Sequence, residues 1–189
     1  MYRNKYPYPY LMPMFPYPFW INPQMYNMYL NNFMGNSQIY NKYYDRPSIE
    51  LKDYGPTPFV VDIDDASTEN NTFRTVLWTG NNLQVALMSI DVGDDIGLEV
   101  HETADQFIRI EEGQGLVKMG DSQNNLNFQN RFSDDYAIMI PAGTWHNIIN
   151  TGNTPLKLYA IYAPPEHPAN TVHNTKEDAE ASERKYRYY

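Results

Sequence analysis

The sequence predicts an all-β fold: a single sandwich or barrel of about nine or ten short strands. Two observations carry this. From residue 59 onward, apolar runs of strand length alternate with Gly-, Asn-, Asp- and Pro-bearing turns at intervals of about eight to twelve residues. Over the same span no long segment repeats its apolar residues at the helical period. The length, 189 residues, gives room for one ordinary domain with attachments.

In chain order the expected strands begin with FVVDI (59–63), FRTVLWT (73–79) and LQVALMSI (83–90). The second and third are joined by Gly80-Asn81-Asn82, a hairpin signal. IGLEVH (96–101), QFIRI (106–110) and GLVKM (115–119) follow. LNFQNRF (126–132) is expected at a sheet edge, after the polar turn 121–125. YAIMI (136–140), HNIIN (146–150) and LKLYAIY (156–162) complete the set. Gly113 and Gly115 are read as turn glycines needing positive φ, since no helix follows them to build a phosphate loop. One helix is expected, at 175–184, with Thr175 as its cap and Asp178 at the capping-box position. The resulting division is an arm at 1–44, a linker at 45–58, the barrel at 59–166 and a tail at 167–189 with its short helix.

The arm differs from the rest in composition. It holds ten of the 17 tyrosines, six of the nine methionines and six of the 14 prolines. Prolines at 7, 9, 13, 16, 18 and 23 exclude helix interiors and central strands, so extended polyproline II is expected there. Tyrosine and methionine make the arm adhesive, which fits packing onto the domain, onto a partner subunit, or into a larger assembly such as a spore coat.

Charge and composition exclude several classes. The formal net charge is -9. The arm, with Arg3, Lys5, Lys42 and no acid, carries +3 of it and the remainder carries -12. An acidic domain argues against nucleic acid or an anionic membrane as partner. The absence of cysteine rules out disulfides and thiolate metal sites. No apolar run approaches the ~20 residues of a membrane span, and proline interrupts the N-terminal segment too often for an ordinary signal peptide. A soluble cytoplasmic protein is the expectation.

Four polar side chains fall where a barrel could bring them together. Glu99 and His101 are two apart in a strand-like stretch and so project from one face. Gln106 lies on the strand that returns beside them, and His146 begins a strand after the turn Pro141-Ala142-Gly143-Thr144. A glutamate, two histidines and a glutamine form an N/O set suited to one divalent metal ion: Mn, Fe or Zn. A single carboxylate leaves a bound dication net positive, able to hold an anionic ligand or polarise an oxygen. Asp105 could orient a histidine or simply close a turn. Trp145, Tyr136, Phe107 and Met139 are read as core filling, and His167 and His173 as surface residues.

The spacing of these residues resembles the paired motifs of the cupin superfamily. Gly93, five residues, Glu99-x-His101, four residues, Gln106, six residues and Gly113 match the first motif. There Glu99 stands for the family's first histidine and Gln106 for its glutamate. Asp135, five residues, Pro141-x-Gly143, two residues, His146, three residues and Asn150 match the second, with Asp135 in place of glycine. The resemblance covers roughly 59–163. It implies a jelly-roll (double-stranded β-helix) barrel in which Glu99, His101, Gln106 and His146 line one metal site.

The texture DQF, EEGQG, PAGTWHN and APPEHPANTVHNTKEDA is similar to small cupins of the mannose-6-phosphate isomerase-like group. Zinc-dependent phosphomannose isomerases of this fold use the same ligand types with Glu and Gln exchanged in order. That activity needs a basic lining for the phosphate. The barrel offers only Arg74, Arg109, Lys118, Arg131 and Lys157, and strand alternation turns Arg109 away from Gln106.

Two functions are therefore expected. One is a metal-dependent isomerase, decarboxylase or dioxygenase acting on a small sugar-like or carboxylate compound. The other is a structural protein using a dimerising cupin as a brick and the arm for assembly.

Overall fold

The computed structural model describes residues 49–186, apart from the side chains of Glu183, Lys185 and Tyr186. Residues 1–44, with the extended backbone and assembly role expected of them, lie outside the described residues. The described chain contains a short helix α1 (Ile63–Glu69) and nine strands, followed by a second helix α2 (Lys176–Tyr186). The strands are β1 (Arg74–Thr79), β2 (Gln84–Ile90), β3 (Asp105–Glu112), β4 (Gln114–Gly120), β5 (Phe128–Ser133), β6 (Ala137–Ile140), β7 (Trp145–Asn150), β8 (Leu156–Ala163) and β9 (Val172–His173). They form two antiparallel sheets, one ordered β6-β3-β8-β2-β1-β9 and the other β5-β4-β7. This is the jelly-roll barrel expected from the strand spacing.

Alternation along the strands decides what faces the interior. On β3, Gln106, Ile108 and Ile110 are buried, and they pair across to Tyr162, Ala160 and Leu158 of β8. On β7 the buried set is His146, Ile148 and Asn150. One end of the interior is therefore aliphatic and belongs to the main core cluster, while Gln106, Tyr162 and His146 make the other end polar. The metal-site candidates sit at that polar end.

Gly115 lies in β4 with an ordinary strand conformation and not in a positive-φ turn. What it needs is room, since a Cβ would stand 2.3 Å from Phe132 Cζ and 2.4 Å from the Ile149 carbonyl oxygen. Both neighbours belong to strands paired with β4 and cannot recede. Gly115→Ala should therefore destabilise the barrel by about 1–3 kcal/mol, seen as a melting temperature lower by roughly 3–10 °C. An unchanged melting curve would show that β4 and its two neighbouring strands shift apart more easily than this packing implies.

Two expected strands take other forms. The alternation in 59–63 is present, with Phe59, Val61 and Ile63 packed inward and Val60 96% exposed. No strand partner meets the segment, and Asp62 caps α1 by accepting from the Asp65 amide. Asp64 and Asp65 in the first turn also suit the helix dipole. The 96–101 stretch runs extended beside β7, but Gly97 (φ 90°) breaks its ladder into the bridges Asp95–Ile149 and Glu99–His146. Residues 49–58, expected as linker, fold onto the domain from Ile49. Ile49, Leu51 and Tyr54 pack on a second cluster containing Leu77 and Leu87, and the Tyr54 amide donates to Leu77 O at 2.9 Å.

The expected capping box forms at α2. The Thr175 amide donates to Asp178 Oδ2 at 3.1 Å, and the Asp178 amide to Thr175 Oγ1 at 3.2 Å. Lys176 then clamps this helix to the first motif loop, 2.8 Å from Asp94 Oδ1 and 2.6 Å from Asp95 Oδ1. Tyr136 and Met139 are not core filling: they are 53% and 65% exposed on the outside of the barrel. Their neighbours Ile138 and Ile140 take the inward positions.

Candidate metal centre

Three of the four predicted ligands converge. Glu99 Oε1 lies 3.4 Å from His101 Nε2 and 3.3 Å from His146 Nε2. Backbone pairing creates this meeting. The Glu99 amide donates to His146 O at 3.0 Å and the His146 amide to Glu99 O at 2.9 Å, which places the two side chains side by side. The Gly143 amide donates to His101 O at 2.8 Å, tying the turn before β7 to the first motif. Gly143 (φ 75°) supplies the turn's left-handed residue. Asp105 accepts from the Ala142 amide at 2.9 Å, so it is a turn carboxylate joining the two motif loops. It does not orient a histidine.

The second nitrogen of each imidazole is committed elsewhere. His146 Nδ1 is 2.9 Å from Thr144 O, and a carbonyl can only accept, so Nδ1 carries the proton and Nε2 presents its lone pair. His101 Nδ1 is 3.1 Å from Glu166 Oε1, which fixes the ring in the same sense. Outer partners of this kind orient metal-binding histidines.

Glu99 Oε1, His101 Nε2, His146 Nε2 and Gln106 Oε1 are all buried and none makes a well-formed hydrogen bond, Glu99 Oε1 meeting the two imidazole nitrogens only at 3.4 and 3.3 Å. Four buried polar atoms left unsatisfied in one region would be costly. A cation removes that cost. Donors held about 2.0–2.2 Å from one ion stand roughly 3.0–3.5 Å from each other, which the Glu99–His101 and Glu99–His146 spacings satisfy. Gln106 enters from β3, opposite Tyr162, whose ring meets His101 edge-on with centroids 5.4 Å apart.

The electrostatics agree with a cation site. Burial alone would raise the Glu99 carboxyl, but His101, His146 and the Arg74 guanidinium outweigh it and hold Glu99 well below the usual carboxylate range. Burial also opposes charge on His101, yet Glu166 and Glu99 raise it to about 9. In the metal-free protein a proton on His101 thus takes the place of the cation beside Glu99.

Sequence reasoning missed three residues here. Arg74, 1% exposed, lies 3.8 Å from Glu99 Oε2. Among the basic residues of the barrel it is the one with a described ion pair to the site. Lys157 is turned to the Asn70 carbonyl and Asn71, Arg109 binds Asp135 at 2.8 Å, and Arg131 is exposed. Glu166 and His167 arrive on the segment after β8. His167 is a half-buried site neighbour, its ring centroid 5.0 Å from Tyr162 and 6.4 Å from His101, and not the surface residue expected. Burial and then Arg74 push its pKa down to about 2. The only sequence signal was the Glu-His pair between prolines in PPEHP, whose return to the barrel depends on the path of the chain. A crevice of about 150 Å³ between residues 96–98 and α2 also borders Glu99.

Residues 86–162 match the family model for the cupin domain. The chain belongs to the cupin family. It is similar to YrkC, an uncharacterised protein of Bacillus subtilis (strain 168), with 63% identity over 147 residues covering 78% of each chain. L612, an uncharacterised protein of Acanthamoeba polyphaga mimivirus, is 39% identical over 60% of this chain and 70% of that one. Among solved structures, BH2720 from Bacillus halodurans is 64% identical over 69% of this chain and 99% of that one, with a TM-score of 0.69.

In this cupin, Asp135 occupies the position of a motif glycine and still adopts φ 72°. Aspartate is among the few residues that tolerate this conformation, and its carboxylate is held by Arg109 Nη2 at 2.8 Å. Asn150, the last motif residue, is structural: its amide spans Ile90 O, Thr154 O and the Gly152 amide.

Proposed function

We propose that this cupin holds one divalent ion, of manganese, iron or zinc, through Glu99, His101, His146 and Gln106, and acts on a small sugar-like or carboxylate compound there. The observation that carries this is the set of four buried donor atoms without a well-formed hydrogen bond, three of them within 4.8 Å of one another. A bound dication would act as a Lewis acid on an oxygen of that compound. The protein's own residues supply the rest. Thr144 and Glu166 orient the two imidazoles, and Arg74 sets a second positive charge beside Glu99.

With two neutral imidazoles, an amide and one carboxylate, the loaded centre stays net positive and so favours a ligand with an anionic or strongly polar oxygen. The assembly alternative rests on residues 1–44, outside the described residues, and no observation on the barrel favours it.

Elemental analysis of the purified full chain tests the proposal, with about one metal per chain expected and a metal-free protein, even after exposure to each of the three ions, counting against it. A finer test concerns Glu166. Glu166→Gln should weaken metal affinity about 10- to 100-fold above about pH 9, where no proton competes for His101, and should lower the melting temperature of the metal-free protein at neutral pH, because Glu166 helps hold the His101 proton. Unchanged affinity in a competition titration would remove Glu166 from the site.

A further inference from the structure

We infer that His167 is a contact residue for the small oxyanion bound at the metal centre, and that Gln84 is the positioning residue that sets it there. The inference rests on the metal centre proposed above. Gln84 is fully buried on β2, and both ends of its amide are spent on the main chain of His167. Its Oε1 accepts from the His167 amide at 2.9 Å, and its Nε2 donates to His167 O at 2.8 Å. The same Nε2 lies 3.1 Å from Thr79 Oγ1, which donates to Asp53 at 2.6 Å, and Asp53 in turn accepts from the Asn170 amide at 3.0 Å. The segment is therefore fixed at His167 and again at Asn170 by buried or half-buried side chains from a different part of the fold.

This anchoring sets only the backbone. The imidazole stands edge-on to Tyr162 and to His101, and its Nε2 is buried with no hydrogen-bond partner. A buried polar atom in that condition needs an explanation. Metal ligation is a poor one, because the mutually close donor set comprises Glu99, His101 and His146 and does not extend to His167. A ligand group seated beside the metal satisfies the atom. The net positive charge of the loaded centre, with Arg74 at its edge, selects an oxyanion such as a carboxylate.

The test uses the full chain loaded with cobalt(II), whose visible spectrum reports its coordination, and acetate as the probe anion. His167→Phe keeps a ring against Tyr162 and His101 but removes the polar nitrogen, and His167→Gln restores a hydrogen-bonding group. Both should load cobalt as wild type does. Acetate should bind about 3- to 10-fold more weakly to His167→Phe, the worth of one hydrogen bond, and His167→Gln should recover most of that loss. Acetate affinity unchanged in His167→Phe, or wild-type protein that loads cobalt and ignores acetate, overturns the assignment and leaves the metal centre standing. Loss of cobalt from His167→Phe also overturns it, by making His167 part of the metal's support. Wild-type protein that takes up no cobalt removes the centre and this assignment together.

Discussion

Full-length protein carrying His101→Ala and His146→Ala should bind no metal under conditions in which the wild type binds about one ion per chain. Each imidazole supplies a neutral nitrogen whose tautomer is already set, by Glu166 for His101 and by Thr144 for His146. Removing both leaves Glu99 and Gln106 alone. One carboxylate and one amide bind the three candidate ions weakly in competition with water. The variant should nonetheless fold. His146 is 0% exposed and His101 6%, but they lie at the polar end of the interior, away from the aliphatic packing of β3, β7 and β8. Far-ultraviolet circular dichroism would check the fold and elemental analysis the metal. Equal metal content in both proteins would place the ion elsewhere.

The second large effect is on the pH dependence of metal uptake. In the metal-free protein Glu166 and Glu99, working against burial, raise His101 to about 9, so at neutral pH a proton occupies the nitrogen the metal requires. Binding must expel it. Apparent affinity should rise roughly tenfold per pH unit up to about pH 9, and near pH 7 about one proton should be released per metal bound. Glu99 adds nothing to this slope, because its carboxyl is held well below the usual range. The sign for folding runs the other way. A raised histidine pKa stabilises the metal-free fold fully below its ordinary value of 6.5, and that contribution disappears as pH rises through about 9. Metal-free protein should lose stability across that interval. Competition titrations at several pH values, with calorimetry in buffers of different ionisation enthalpy, would measure both; a flat affinity profile would mean that His101 is not protonated in the metal-free site.

The barrel was legible in the sequence because a jelly roll is written in local signals: alternation of apolar residues and turn chemistry. Strands β1 to β8 follow those signals closely. The departures occur where alternation was present without a partner strand, at 59–63, and where a glycine in a left-handed conformation interrupts pairing, at Gly97. Gly115 shows the converse, a glycine required by close packing whose neighbours Phe132 and Ile149 are far away in sequence. Glu99, His101 and His146 were legible because their spacing survives in two compact motifs. Arg74, Glu166 and His167 were not, since β1 brings Arg74 and the segment after β8 brings Glu166 and His167, and only tertiary structure carries them to the motif residues. The arm at 1–44 stands out in composition alone, and no helix among the described residues is long and apolar enough to cross a membrane.

The central claim is that one ion sits among Glu99, His101, His146 and Gln106. X-ray absorption fine structure at the metal edge of the loaded full chain addresses it directly. The account predicts a nitrogen/oxygen first shell with the outer scattering of two imidazole rings, falling to one ring in His146→Ala protein that is loaded at high metal concentration. A first shell without imidazole scattering, or one that is unchanged in His146→Ala, would contradict it.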